Sequence, residues 1–230
     1  RAEDVVRDAD IAMYRAKALG KATYQLFTPQ MRERALAVMT LEHDLRRAIR
    51  AGELQVHYQP IVSVETGRLS GFEALARWPH PEHGMISPAE FIPIAEETGL
   101  IVDLDRLVLE TACRQVALWQ AEHRPLTLSV NLSGQGFAQP DLVGWLSGML
   151  ADTGLGAQFL RLEITETVLM QNSERTARSF ADLEALGIAI YIDDFGTGYS
   201  SLGYLQTFPL HTLKIDRSFI SGIDQRSDML

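Results

Sequence analysis

Five short apolar runs in this chain end in a carboxylate or an amide. They read Gly-Phe-Glu73-Ala-Leu, Leu-Ser-Val-Asn131-Leu, Leu-Arg-Leu-Glu163-Ile-Thr-Glu166, Ile-Tyr-Ile-Asp193-Asp194 and Leu-Lys214-Ile-Asp216. Near-continuous apolar runs of this kind predict buried strands. Hard oxygen ligands at their ends bring many carboxylates to one place. Crowded carboxylates repel unless a cation neutralises them, so the pattern predicts a divalent-metal site.

The rest of the pattern supplies the elements between these strands. Residues 3 to 20 carry Val6, Ala9, Ala12, Met13, Ala16 and Ala18 at helical spacing, with Gly20 as a stop. Thr23 to Phe27 alternates as a strand does. A charged helix follows from Gln30 to Arg50, with Leu41, Leu45, Ala48 and Ile49 on its apolar face, and reads as a connector into a main domain. Strands Leu54–Val64 and Leu69–Trp78 are separated only by Glu65–Arg68, too short for a parallel crossover, so they are antiparallel neighbours. Ser87-Pro88-Ala89-Glu90 is a capping box with proline at the first helical position, and Pro93 is expected to restart that helix before Gly99. Helices over Asp103–Ala121, Leu142–Thr153 and Glu174–Leu186 then alternate with the strands ending at Asn131, Glu163 and Asp193.

This alternation predicts an α/β fold with a parallel sheet, and its number of units predicts a TIM-like (β/α) barrel with one antiparallel strand. Sites in such barrels lie at the C-terminal strand ends, where the polar residues fall. About six strands are countable against eight in a closed barrel, so the expectation is a barrel cut short by roughly two βα units.

Composition narrows the function. At 230 residues and 46% apolar, the chain can build a sizeable core. A net charge of −9 argues against non-specific duplex nucleic-acid binding, and an anionic substrate would need metals or placed arginines. Cys113 is the sole cysteine, which excludes an internal disulfide and fits a reducing, cytoplasmic location; beside Ala112 and Val116 it reads as a core thiol. No apolar run approaches ~18 residues, so no membrane segment is predicted, although a longer parent could be membrane-attached. The first residue is Arg rather than Met, and a slice of a longer protein is the expectation.

At the strand ends, Glu73, Leu75 and Arg77 share one face. Glu73 and Arg77 read either as a buried ion pair or as a metal ligand beside a phosphate clamp. Two glutamates, Glu163 and Glu166, close one strand. Asp193-Asp194-Phe-Gly-Thr-Gly-Tyr-Ser-Ser-Leu is the sharpest segment: adjacent aspartates can bridge and flank two cations, and the glycines permit a tight turn beside them. Lys214 shares a face with Asp216 and reads either as a salt-bridge partner or as a participant in activating water. His80 and His83 lie in a Pro-rich, solvated-looking loop and read as poor metal ligands. His57 reads as packed or hydrogen-bonded rather than catalytic.

Together these motifs resemble the EAL-domain family, the cyclic di-GMP phosphodiesterases. The name-giving tripeptide is Glu73-Ala74-Leu75. Around it stand Tyr58-Gln59-Pro60-Ile61, Ala76-Arg77-Trp78, Pro88-Ala89-Glu90-Phe91-Ile92-Pro93, Asn131-Leu132-Ser133, Glu163-Ile164-Thr165-Glu166, the Asp193–Leu202 run and Lys214-Ile215-Asp216, collinear over residues 41 to 230. The resemblance implies two Mg²⁺ or Mn²⁺ ions, with Glu73, Asn131, Glu163 and Asp193 on the first and Asp193 and Asp194 on the second. It implies that Lys214 positions or activates a water attacking the phosphodiester to give linear pGpG. It places Gln59 and Arg77 on the substrate and Asp216 at its edge, and has Glu166 brace the Asp194–Ser201 loop. Homodimerisation through the EAL domain is a further implication.

The segment from Ala9 to Phe27 resembles the last helix and strand of a GGDEF domain. The expected organisation is a GGDEF remnant over 1–28, the start of a linker helix over 29–40 and an EAL domain over 41–230, incomplete at its C-terminus, from a GGDEF–EAL tandem parent. A Glu-Gly-Val-Glu-like motif and a later substrate-contacting strand, normal in the family, are not in these residues. The expectation is that this chain alone is inactive or nearly so and that the parent is active. Two rivals stand beside this reading: a degenerate EAL domain that binds cyclic di-GMP without cleaving it, and an enolase-like Mg²⁺ barrel. The intact ligands count against the first. The antiparallel hairpin and the Asp pair count against the second.

Overall fold

The computed structural model describes residues 2–18, 23–122, 125–170, 174–196 and 210–220. Two helices lead the chain, α1 (Ala2–Ala18) and α2 (Pro29–Ala51). Pro29 at the first turn of α2 costs no hydrogen bond, and Gly52 closes it in the left-handed region, φ 67°, donating back to Ala48 and Ile49. Leu45, Ala48 and Ile49 of its second half are buried in the main core. The helix runs unbroken through Leu41.

A sheet follows with strands β1 (Gln55–Val62), β2 (Leu69–His80), β3 (Gly84–Ile86), β4 (Thr127–Asn131), β5 (Leu160–Thr165), β6 (Ala189–Phe195) and β7 (Thr212–Ile215). Its spatial order is β1-β2-β4-β5-β6-β7, with β3 hairpinned onto the end of β2. The β1–β2 and β2–β3 pairs are antiparallel and the rest are parallel. The antiparallel first hairpin therefore agrees with its short connection. Among the described residues the sheet is open, with β1 and β7 at its edges. This is the α/β architecture expected, with a mostly parallel sheet that is open among the described residues.

Helices α3 (Pro88–Thr98), α4 (Ile101–Glu122), α5 (Gly134–Phe137), α6 (Leu142–Thr153), α7 (Glu166–Met170), α8 (Glu174–Ala185) and α9 (Arg217–Ile220) fill the connections. One sheet face presents Ala74, Trp78, Leu128, Val130, Leu160, Leu162, Ile164, Ile190 and Ile192 to the core they share with the helices. Cys113 is fully buried there, as its neighbours implied, and burial pushes its thiol up to about 12.

Several local expectations are corrected. Thr23–Phe27 forms no strand: its Tyr24 and Leu26 are exposed and no neighbouring strand pairs with it among the described residues. Pro93 lies inside a continuous α3 rather than restarting it, because Phe91, Ile94 and Ala95 on either side are anchored in the core. The Ser87 side chain makes no capping hydrogen bond; its backbone carbonyl accepts from Glu90 and Phe91 instead. His80 is buried, not solvated. Its Nδ1 accepts from the backbone N–H groups of Glu82 and His83, each at 3.2 Å, and its Nε2 faces Asp44 of α2 at 3.4 Å. His57, by contrast, is exposed on the edge strand.

Candidate metal centre

Strand register puts the polar residues on one face. Glu73 of β2 pairs with Ser129 of β4, and Asn131 lies two residues further on. Asn131 pairs with Glu163 of β5; Glu163 pairs with Tyr191 of β6, two residues before Asp193. Tyr191 pairs with Thr212 of β7, two residues before Lys214. Parallel partners point the same way, and each step along a strand is an even one, so all five side chains emerge on the side opposite the helix-packed core. The steps from β2 to β4 and from β5 to β6 each advance by two residues, while Asn131 lies level with Glu163 and Lys214 level with Asp193; such stagger lets neighbouring strand ends draw together.

The gathering is tight. Lys214 Nζ donates to Glu163 Oε2 at 2.5 Å, Asp193 Oδ2 at 3.2 Å and Glu73 Oε2 at 3.3 Å. Asn131 Nδ2 donates to Glu73 Oε1 at 3.0 Å. Oxygens of Glu73, Glu163 and Asp193 lie within 4.8 Å of one another. Glu163 is 2% exposed, and burial pushes its carboxyl above the usual carboxylate range while Lys214 pulls it back. For Lys214 burial favours the neutral amine, but the hydrogen bond and charge of Glu163, then the charges of Glu73 and Asp193, outweigh it and hold the ammonium well above the usual lysine range.

One ammonium does not balance three carboxylates. The donors are all hard oxygens, and the Asn131 amide oxygen is available beside them because its nitrogen serves Glu73. This set fits a divalent cation such as Mg²⁺ or Mn²⁺, and the acidic cluster could hold one.

The other expected site residues lie around this centre rather than in it. Gln59 of β1 is paired directly across from Glu73 and is exposed. Arg77, half-buried near the end of β2, donates to the carbonyl of Ala76 at 2.8 Å. Asp194 adopts φ 52°, the only left-handed non-glycine residue among those described, and its N–H donates to Asp193 Oδ1 at 2.9 Å. Burial, then Asp193 and Asp216, raise its carboxyl. Asp216 accepts from the Ser218 N–H at 2.9 Å at the start of α9. Glu166 opens helix α7 rather than ending β5. The loop it was expected to brace lies, beyond Gly196, outside the described residues.

The match to known proteins decides the family. A model of the EAL domain matches residues 42–229. The chain belongs to the EAL domain family. Among curated relatives it is 43% identical over 226 residues to the bifunctional diguanylate cyclase/cyclic di-GMP phosphodiesterase MucR of Pseudomonas aeruginosa, covering 98% of this chain and 33% of that protein. To the cyclic di-GMP phosphodiesterase NbdA of the same organism it is 42% identical over 222 residues, covering 96% and 28%. The EAL chain thus spans about a third or less of the length of these relatives. The solved phosphodiesterase of MucR, in complex with cyclic di-GMP, superposes with a TM-score of 0.77 at 45% identity over 82% of this chain and 77% of that one. Among the described residues of this EAL chain no helix is long and apolar enough to cross a membrane.

Sequence reasoning passed over one polar residue that the structure ties to this EAL site. Asp105 of α4 sits 7% exposed under the Asn131–Ser133 turn and accepts from both the N–H and the hydroxyl of Ser133. The signal was present: Asp105 occupies a position in the stripe Ile101, Leu104, Val108, Leu109, Ala112, all buried, where a charge is out of place.

Proposed function

We propose that this EAL chain carries the metal- and substrate-binding strand ends of a phosphodiesterase that opens cyclic di-GMP to linear pGpG. The observation carrying the reading is the convergence of Glu73, Glu163 and Asp193 on Lys214 in a chain of this family. The names of its relatives, and the cyclic di-GMP in the similar solved structure, support the choice of substrate.

In this proposal Glu73, Asn131, Glu163 and Asp193 hold one divalent ion, and Asp193 with Asp194 flank a second. Two such ions, Mg²⁺ or Mn²⁺, would supply when bound a water acidified to near neutrality and positive charge for the phosphoryl oxygens. Lys214, the carboxylate cluster's own counter-cation here, would help orient the attacking water. Arg77 leaves the Ala76 carbonyl to take a phosphate oxygen, for which its planar fork is suited. Gln59, exposed across from Glu73, hydrogen-bonds the substrate, and Asp216 meets its edge. Glu166, heading α7, braces the loop after Asp194.

The same proposal treats residues 1–28 as GGDEF-derived, 29–40 as the start of a linker helix and 41–230 as EAL domain. Cytoplasmic residence and homodimerisation through the EAL domain belong to it as well.

The test is incubation of cyclic di-GMP with Mg²⁺ followed by chromatography, on this chain and on a longer form that contains it. Formation of pGpG by the longer form, abolished by Glu73→Ala, supports the phosphodiesterase. Binding without any cleavage would make the domain a receptor.

A further inference from the structure

Asn131 is an exposed side chain at the last position of β4, so packing around the side chain does not place it. Its backbone does. On one side the next residue, Leu132, donates its N–H to the Glu163 carbonyl at 2.8 Å, tying the turn to β5. On the other side Ser133 donates to Asp105 Oδ2 twice, from its N–H at 3.1 Å and from its hydroxyl at 2.6 Å. The Ser133 hydroxyl also accepts from the Gly136 N–H at 2.9 Å and so caps α5. Gly136 is required here because a Cβ at that position would collide with Asp105 Oδ2.

A bare structural anchor between α4 and α5 does not call for a carboxylate. Among the described residues no cation pairs with Asp105; its neighbour Arg106 turns away to Asp141 at 2.7 Å. Burial pushes the Asp105 carboxyl up to about 7, with Glu96 adding to the rise and the two Ser133 hydrogen bonds opposing it. A buried carboxylate that costs stability, yet holds the residue two positions after the strand-end amide, points to a task at the site.

We propose that Asp105 is a positioning residue for the metal centre, fixing the Asn131–Ser133 turn so that the Asn131 amide stays against Glu73. It acts by hydrogen-bond acceptance through Ser133 and touches neither ion nor substrate. The inference rests on the reading of Asn131 and Glu163 as metal ligands.

The test is Mn²⁺ binding followed by electron paramagnetic resonance of the free ion, without substrate, with circular dichroism to confirm folding. Asp105→Ala is expected to weaken Mn²⁺ binding about 10-fold, the usual scale for partners that orient ligands. Asp105→Asn keeps an oxygen that can accept both Ser133 hydrogen bonds, and should restore affinity to within about 3-fold of the parent on the same scale. If Asp105→Ala does not fold, Ser133→Ala removes the hydroxyl link alone and should weaken binding in the same direction. Glu163→Gln is the reference, and is expected to lose binding outright. Parent-like affinity in folded Asp105→Ala or Ser133→Ala, with binding lost in Glu163→Gln, overturns the positioning role. Parent-like affinity in Glu163→Gln as well overturns the metal reading, and this inference with it.

Discussion

Lys214 of β7 reaches across β6 to Glu163 of β5, Nζ to Oε2, at 2.5 Å. The two residues are 51 positions apart, and Glu163 is buried while Lys214 is partly open to solvent. The contact makes the ammonium the shared partner of three carboxylates on three strands.

Removing that ammonium has a cost that depends on metal. Lys214→Met leaves Glu73, Glu163 and Asp193 facing one another without a cation, and should destabilise the fold by about 1.5–3 kcal/mol, the range for hydrogen bonds to charged groups. A divalent ion replaces the missing charge, so the loss should shrink in Mn²⁺. Thermal unfolding in chelator and in Mn²⁺ checks this; an equal loss under both conditions would contradict it.

Asp105 predicts a stability gain on neutralisation, with a defined pH sense. Its folded-state value of about 7 lies above the unfolded carboxylate value, so the folded protein binds more protons in between. The group therefore costs nothing below about pH 4, costs progressively more as pH rises, and reaches its full cost above about pH 7. Asp105→Asn should be more stable than the parent at pH 8 by on the order of 2 kcal/mol, with the advantage fading towards pH 5. Urea titrations at the two pH values measure it. An advantage that grows on acidification would show the burial argument to be wrong.

Gly71 of β2 packs its backbone against Thr127 of β4, its register partner, where a Cβ would meet the Thr127 carbonyl and hydroxyl. Neither can move without opening the β2–β4 pair, and the Thr127 hydroxyl already donates to the Ser70 carbonyl at 3.1 Å. Gly71→Ala should cost about 1–3 kcal/mol by overpacking, read from urea unfolding. A neutral result would mean that the two strands separate freely at this point.

Cys113 should be silent to thiol reagents in the native state. It is fully buried and its thiol is raised to about 12, so almost no thiolate is present at neutral pH. Disulfide-exchange labelling is expected only after denaturation; rapid native labelling would place Cys113 outside the core.

Much of this was legible because buried parallel strands write themselves as apolar runs, and a carboxylate ending such a run stands out. Glu73, Glu163 and Asp193 were found that way; period 2 set Lys214 only with Asp216, and it is the β6–β7 pairing that brings its ammonium to the three carboxylates. What stayed hidden was short or long-range. Strand β3, Gly84–Ile86, is three residues long, and α5 and α7 are four and five, too short to show a period. His80 is buried, and its Nε2 faces Asp44, 36 positions away on α2, which no local pattern reveals. Thr23–Phe27 alternated like a strand but lacked a partner, and pairing rather than alternation makes a strand. Asp105 stands in the apolar stripe of α4, which marks it as buried, but what it supports is the Ser133 turn 28 positions away, which no local pattern reveals.

The most direct test of the central claim is a crystal of the protein soaked in Mn²⁺ and measured for anomalous scattering. A peak is expected between Glu73, Glu163 and Asp193, with oxygens at roughly 2.1 Å as for a small divalent ion, and Lys214 Nζ displaced from the cluster. No peak there, with Lys214 still hydrogen-bonded to all three carboxylates, would contradict it.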